Sequence, residues 1–363
     1  MGILATTLSA YRYRSFDSYE LELDPGVTIL SGHNAAGKTN LIEALQILTS
    51  GQSFRRPSPR DLVLNGEGAG RIELALEGDG RVLDMACDLA PGKRSFKRNG
   101  KPTSASGVRG VLPSILFCPD HLDMVKRSAA VRRAALDGFG IQLNDRYAKL
   151  VSTYERAVEQ RNNLLKEDRP DPALLAAWDE SLVSIGSALL RHRIALLDRV
   201  RAHLAAVCAA IAPGERADAE YVSTVGDAAH DRGGIEDLFR AALERARPDE
   251  RRRRLTLVGP HRDEILFTID GRPARDFGSQ GQQRSVVLSW KIAEVQVTHD
   301  ILGRYPLLLL DDVMSELDAG RREAVVSFIE GQIQTVITTA NLGYFSPRLL
   351  EPAKVVRVGG ERR

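Results

Sequence analysis

Gly32-His33-Asn34-Ala35-Ala36-Gly37-Lys38-Thr39 reads G-x-x-x-x-G-K-T. The residues before it, Gly26-Val27-Thr28-Ile29-Leu30-Ser31, form a short apolar run of the kind that makes a buried strand. Those after it, Asn40-Leu41-Ile42-Glu43-Ala44-Leu45, open a helix. A Gly-rich loop in that setting turns backbone N–H groups toward an anion at the helix N-terminus. The pattern therefore predicts a nucleoside triphosphate site made by Gly32, His33, Asn34, Ala35, Ala36, Gly37, Lys38, Thr39 and Asn40. Lys38 is expected to reach the β- and γ-phosphates of ATP, and Thr39 to coordinate Mg2+. The competing reading is a Gly-rich turn without a ligand, which would not need a strand before it and a helix after it.

A phosphate loop also needs a carboxylate for the metal's water shell. Leu307-Leu308-Leu309-Leu310-Asp311-Asp312 supplies one: a buried strand ending in two acids. Asp311 is expected to hold Mg2+ through water, and Asp312 to polarise the attacking water. The two halves are 273 positions apart, from Lys38 to Asp311. Compact phosphate-loop kinases and GTPases need no such gap. The reading is one ATPase domain in two parts, 1–120 and 251–363, with an α-helical arm at 121–250.

Composition agrees with that division. Leu21, Leu23, Ile72, Leu74, Leu76, Val82, Leu83 and Met85 fall in short segments bounded by Gly and Asp, as strands do, and Asn99-Gly100 marks a hairpin turn. From about residue 121 the chain becomes rich in Ala, Leu and Arg. Tyr147, Leu150, Tyr154, Ala157, Val158, Leu164 and Leu165 recur at helical spacing. Asp171-Pro172 then offers an N-cap followed by proline at the first helical position. The apolar stripe from Trp178 to Ile211 predicts a helix of roughly 40 residues, about 60 Å long, antiparallel to the one before it. The stripe is read as internal packing rather than a partner-binding face. Pro213-Gly214 ends the hairpin, and Gly233-Gly234 marks another loop. Strands are expected at Leu255–Val258, Ile265–Ile269, Leu307–Leu310 and Thr335–Thr339, with helices from Gln282 to about Leu302 and from Arg321 to Glu330.

The chain has 363 residues, length for about two domains, with 43% hydrophobic and 27% charged residues. A formal net charge of +2 gives no global field, so nucleic-acid binding must come from a local patch. Cys87, Cys118 and Cys208 are far apart, which points to a reducing compartment and against structural zinc. No apolar run could span a bilayer and no signal-peptide pattern opens the chain, so a cytoplasmic protein without a membrane partner is expected.

Ser279-Gln280-Gly281-Gln282-Gln283-Arg284 precedes the acidic strand and opens a helix. It resembles the signature motif of ABC-type ATPases, usually S-G-G-Q, and Ser315-Glu316-Leu317-Asp318 resembles their S-x-L-D loop. A wider set of segments narrows the resemblance to the RecF family of the SMC-like branch. Tyr13-Arg14-Ser15-Phe16 resembles its early F-R-N-Y-type segment, and Arg132-Arg133 with Leu136-Asp137 its R-R-x-x-L-D entry to the arm. Gln160-Arg161-Asn162 with Leu164-Leu165 resembles Q-R-N-x-L, and Gly259-Pro260-His261-Arg262-Asp263-Glu264 resembles G-P-H-R-D-D. The resemblance implies an α/β fold: an ABC-type (SMC-like) P-loop ATPase head with an inserted α-helical arm subdomain. It places Arg14 among the nucleotide-binding residues. It also implies that Ser279, Gln280, Gly281 and Gln282 meet the γ-phosphate of ATP held by a second copy, in an ATP-dependent homodimer. It further implies DNA binding at gaps or single-/double-strand junctions, the mediators RecR and RecO as partners, and indirect action on RecA.

Departures from the family pattern are local. His33 and Ala35-Ala36 stand where the family often has Glu and Gly-Gln, and Thr338-Thr339-Ala340-Asn341 follows the last strand where transporter ATPases place a histidine. The stretch near Phe117-Cys118-Pro119-Asp120 is the best region for the glutamine loop. Asp312 replaces the glutamate of fast ABC ATPases, so slow hydrolysis is expected, a timer more than a motor, and the resemblance implies that DNA stimulates it weakly. Lys93, Arg94, Lys97, Arg98 and Lys101 form a basic cluster around Phe96 and are the candidate DNA contacts, with Arg251 to Arg254 as a second cluster. A metal reading of His261, Asp263 and Glu264 is set aside, because adjacent residues on a strand point to opposite faces. The alternative function is an ABC-type ATPase subunit energising a membrane transporter. The late signature motif, the missing histidine and the G-P-H-R-D segment argue against it.

Overall fold

The computed structural model describes residues 2–78, 80–227, 234–330 and 333–359. In chain order the strands are β1 (Leu4–Tyr13), β2 (Phe16–Glu22), β3 (Val27–Ser31), β4 (Gly70–Gly78), β5 (Arg81–Ala90), β6 (Lys93–Arg98), β7 (Lys101–Thr103), β8 (Ser114–Phe117), β9 (Ala217–Val222), β10 (Glu264–Ile269), β11 (Arg272–Pro273), β12 (Leu307–Asp311), β13 (Thr335–Thr339) and β14 (Lys354–Arg357). The longer helices are α1 (Lys38–Ser50), α2 (Ala129–Leu143), α3 (Asp145–Leu165), α4 (Pro172–Ile211), α5 (Ile235–Arg253), α6 (Gln280–Leu302) and α7 (Ala319–Ile329). The chain divides into two compact units. One is Met1–Leu122, Ala209–Pro213 and Leu288–Arg363; the other is Asp123–Cys208 and Gly214–Val287.

The first unit holds two sheets among the described residues. Five parallel strands run in the order β14-β3-β13-β12-β8. Every residue of β12 and β13 is buried, as expected of parallel strands covered on both faces. Six antiparallel strands run β2-β1-β4-β5-β6-β7, with alternating burial along β4, so that only one face meets the core. Leu41, Ile42, Leu45 and Leu48 of α1 share one apolar core with Leu8 and Leu74 of the antiparallel sheet and Leu30 and Leu309 of the parallel sheet. Asn99 and Gly100 both have positive φ, 49° and 72°, as the hairpin between β6 and β7 requires. The register pairs Ser31 with Thr339 and Asp311 with Thr338, so β3, β12 and β13 end together. Their shared carboxyl end is where open α/β sheets carry ligand sites.

The second unit contains α2, α3, α4 as far as Cys208, α5, the start of α6 and a small sheet in the order β11-β10-β9. Helix α4 is 40 residues long and starts where the sequence predicted, with the Asp171 carboxylate accepting from the N–H groups of Ala173 and Leu174. Leu182, Leu189, Val200 and Leu204 of its stripe are buried. Two family-like segments of this unit, Arg132 to Asp137 and Gly259 to Glu264, meet in one polar network. Arg132 pairs through two nitrogens with Glu264, Arg133 donates to the Asp263 carbonyl, and Arg193 clamps Asp137 and the Pro260 carbonyl. Asp263, fully buried, accepts from Tyr221 and from the backbone and hydroxyl of Thr224.

One expectation is corrected here and one unpredicted strand is added. Leu255–Val258 is a loop, not a strand. The backbone N–H groups of Thr256 and Leu257 donate to the side chains of Asn162 and Glu250, which leaves them no part in a ladder. Strand β10 lies between the short β11 and β9, and β9 is a strand that the sequence reading missed. Of the predicted Gly233-Gly234 loop, Gly233 lies outside the described residues and Gly234 immediately precedes α5. No described helix is long and apolar enough to cross a membrane.

Candidate nucleotide site

Strand β3 delivers the phosphate loop and α1 begins at Lys38, with Gly37 as its N-cap in the left-handed region at φ 100°. A Cβ at Gly37 would lie 2.5 Å from the Phe16 ring, so both backbone and space demand glycine there. Ala35 also sits in the left-handed region, at φ 66°. Glycine here would relax freely, whereas alanine is held against a conformational cost of about 1 kcal/mol.

Lys38 is 7% exposed, and its ammonium donates to the carbonyls of Gly32 at 2.6 Å and His33 at 2.8 Å. The Thr39 hydroxyl donates to Asp311 Oδ1 at 2.9 Å. Thr338 donates its hydroxyl to the same Asp311 oxygen at 2.8 Å and accepts from the Asp312 N–H at 2.8 Å. Thr338 therefore ties the two acids together, a role that sequence reasoning did not assign. Burial pushes the Asp311 carboxyl up, against the hydrogen bonds from Thr338 and Thr39 and the nearby charge of Arg55. Burial also raises Asp312, opposed by the Lys38 ammonium and reinforced by Glu316. Asp312 takes φ 53° and so turns out of the strand that holds Asp311. A hydroxyl and a carboxylate oxygen in hydrogen-bond contact form a hard-oxygen donor pair, which suits Mg2+.

Arg14 occupies a bracing position beside this loop. Its Nε and Nη2 donate to the two oxygens of Glu43 at 2.8 Å each, and Nη1 donates to the Asp61 carbonyl. Glu43 is fully buried in α1 and also accepts from Tyr13 and Ser53. Arg55 donates to Asn40 Oδ1, and Asn40 donates to Ser15. A charged residue within the apolar run Leu41-Ile42-Glu43-Ala44-Leu45 is a sign of a buried partner. Nothing local names that partner, since Arg14 is 29 residues away.

In the second unit the signature residues cap α6. Ser279 N–H donates to Gln282 Oε1 and Gln282 N–H donates to Ser279 Oγ, a reciprocal capping box. The buried Gln283 amide donates to the carbonyls of Ala274, Arg275 and Gly278, fixing the turn that leads into Ser279, Gln280 and Gly281. Phe277, at the same turn, is 67% exposed.

The basic cluster at 93–101 lies on the β6–β7 hairpin, but not on one face. The register puts Arg94, Phe96 and Arg98 beside Leu89, Cys87 and Met85, with Lys101 opposite Arg98. Lys93 and Lys97 lie on the other side, where Lys97 pairs with Asp88 at 2.8 Å. In the second cluster Arg252 pairs with Asp249 and Arg254 with Asp168.

Comparison with known proteins matches the family model RecF/RecN/SMC N-terminal domain over residues 5–356. The DNA replication and repair protein RecF of Gloeobacter violaceus is 35% identical over 359 residues, covering 97% of this chain and 96% of that protein. RecF of Synechococcus sp. (strain JA-3-3Ab) is 37% identical over 361 residues, covering 97% and 95%. Among solved structures, the recombination mediator protein RecF-ATPrS in the RecFOR pathway superposes with a TM-score of 0.89 at 26% identity, covering 99% of this chain and 97% of that one. An Smc head domain from Pyrococcus furiosus, with a TM-score of 0.58 and 14% identity, shares the fold. The two RecF relatives are DNA replication and repair proteins, and the transporter alternative is set aside. On the phosphate loop, the acidic strand end, the helical unit and these likenesses together, the chain belongs to the RecF family of DNA replication and repair proteins, with an SMC-like ABC ATPase head.

Proposed function

We propose that this chain is a nucleotide-gated DNA-binding switch. ATP binds on the Gly32–Thr39 loop with Lys38 against its β- and γ-phosphates. Thr39 and, through water, Asp311 hold Mg2+, whose charge offsets that of the phosphates. Ser279, Gln280, Gly281 and Gln282 of a second copy meet the γ-phosphate, so that ATP dimerises the protein. The dimer binds gapped or junction DNA and, with RecR and RecO, helps to load RecA. Slow hydrolysis, with Asp312 orienting water through a short carboxylate, releases it. The reading is carried by one observation, the cluster of Lys38, Thr39, Asp311, Asp312 and Thr338 at the shared end of β3, β12 and β13. Solved RecF proteins described with ATP and ATPrS support the choice of nucleotide.

The test is equilibrium binding to a labelled gapped duplex with ATP, ADP or no nucleotide at two salt concentrations. Tight binding with ATP alone, weakened by salt, is expected. Equal affinity in all three states would refute the gating.

A further inference from the structure

The outer side of the phosphate loop rests on the chain that leaves β14. β14 pairs parallel with β3, with Arg357 opposite Ser31. Val358 N–H then donates to the Ser31 carbonyl at 2.7 Å, carrying the pairing one residue further. Val358 is 2% exposed. Its carbonyl oxygen lies where a Cβ on Gly32 would stand only 2.3 Å away. Gly32 has no positive φ among the described residues, so this close approach, rather than backbone conformation, excludes a side chain there. The next residue, Gly359, has φ 84°; a Cβ on it would lie 2.9 Å from Ala36 Cβ and 3.5 Å from His33 Nε2. One two-residue segment thus touches the loop near both its ends, at Gly32 and at Ala36.

A phosphate loop binds only if its N–H groups converge on one point, and preorganisation lowers the ordering cost of binding. Lys38 restrains the loop from within, through the carbonyls of Gly32 and His33. We propose that Val358 and Gly359 are positioning residues of the nucleotide site, which hold the phosphate loop from outside and set its affinity for a nucleoside triphosphate. The proposal rests on reading Gly32–Thr39 as the ATP site. It assigns a task to an edge strand that carries no nucleotide motif.

Gly359→Asn tests it, because asparagine tolerates a left-handed backbone and the new Cβ is then the main change. ATP affinity should fall about tenfold, ~1.4 kcal/mol. Adding Ala36→Gly removes the atom that the new Cβ meets and should restore most of the loss, which a general destabilisation would not allow. Gly359→Ala repeats the test with the same Cβ and nothing beyond it. Thermal melting without nucleotide checks that each variant is folded. Wild-type affinity in both Gly359 variants, or a loss that Ala36→Gly leaves untouched, would overturn the proposal while the ATP site stands. Absence of ATP binding by the unmodified chain would instead overturn the reading of the loop, and this proposal with it.

Discussion

Single residues decide whether the loop can do its work, and two of them make opposite predictions. On the proposed reading the Lys38 charge meets phosphate, so Lys38→Ala should weaken ATP binding by roughly 10- to 100-fold, the worth of charge-assisted hydrogen bonds. Titration with a fluorescent ATP analogue checks this. Ala35 holds φ 66° with a Cβ that the left-handed region disfavours. Ala35→Gly relieves that cost and adds freedom to the unfolded chain, so the net gain in stability should be no more than about 1 kcal/mol. Denaturant unfolding reads it, and a loss of stability would show that the Ala35 methyl makes a contact worth more than its strain. The loop, the acids and the signature segment were all legible in the sequence, because each is a local pattern with a local mechanism. Thr338 and the Glu43–Arg14 pair were not. Their partners are brought together by strand register and by the β1–β2 turn; Glu43 in its apolar run signals a buried partner without naming it, and Thr338 gives no such sign.

Elements follow the same rule. Helix α4 was legible almost to the residue, because an N-cap aspartate, a first-turn proline and an unbroken stripe all agree. Leu255–Val258 was misread as a strand because four residues cannot distinguish strand from apolar loop. What decides the matter is the pair of side chains, Asn162 and Glu250, that take its N–H groups. β9 did carry a signal, alternating burial along Ala217-Asp218-Ala219-Glu220-Tyr221-Val222, but its buried positions include two alanines, which read weakly as core. Beneath that loop Arg161, 2% exposed, pairs with Asp179 and Glu250 at 2.7 Å each and donates to Thr256. Arg161→Met leaves Glu250 buried without its cation and should destabilise the helical unit by about 3–5 kcal/mol, seen as an early transition in thermal melting.

The Gly259–Glu264 turn adds a pH dependence. His261 accepts from the Tyr154 hydroxyl and donates to the Thr256 carbonyl. Burial, aided by the charges of Arg262, Arg133 and Arg193, pulls its imidazole down to about 4, against the hydrogen bond to Thr256. The folded form then takes up a proton less readily than the unfolded form. Its contribution to stability is complete above the usual histidine range, about 6.5, and is lost as pH falls toward 4, by up to about 3 kcal/mol. Asp263, whose carboxyl burial raises, works in the opposite sense at the acid end, gaining stability as it is protonated. Comparing the unmodified chain with His261→Gln cancels that background. The difference in melting stability between the two should change across pH 4 to 6.5 and stay flat above it.

At the scale of the whole molecule, charge decides how DNA can be held. A net charge of +2 provides no general attraction, so affinity must come from patches, and sheet geometry divides the main one. Arg98 and Lys101 face each other across the β6–β7 turn, both exposed and neither in an ion pair among the described residues. Lys97 is already neutralised by Asp88. Replacing Arg98 and Lys101 by Ala should therefore cost more DNA affinity than replacing Lys97. Each phosphate left without its cation should also reduce the slope of log affinity against log salt by about 0.9. For one copy on DNA the double variant should flatten the slope by about 1.8, and for an ATP-bound pair presenting both hairpins by about 3.6. The salt slope thus reports the number of copies as well as the number of phosphates neutralised, and sedimentation with and without ATP supplies the independent count. A slope unchanged by the double variant would remove the hairpin from the DNA site. A flattening near 1.8, alongside a doubled mass, would mean that the dimer binds DNA with only one of its two hairpins.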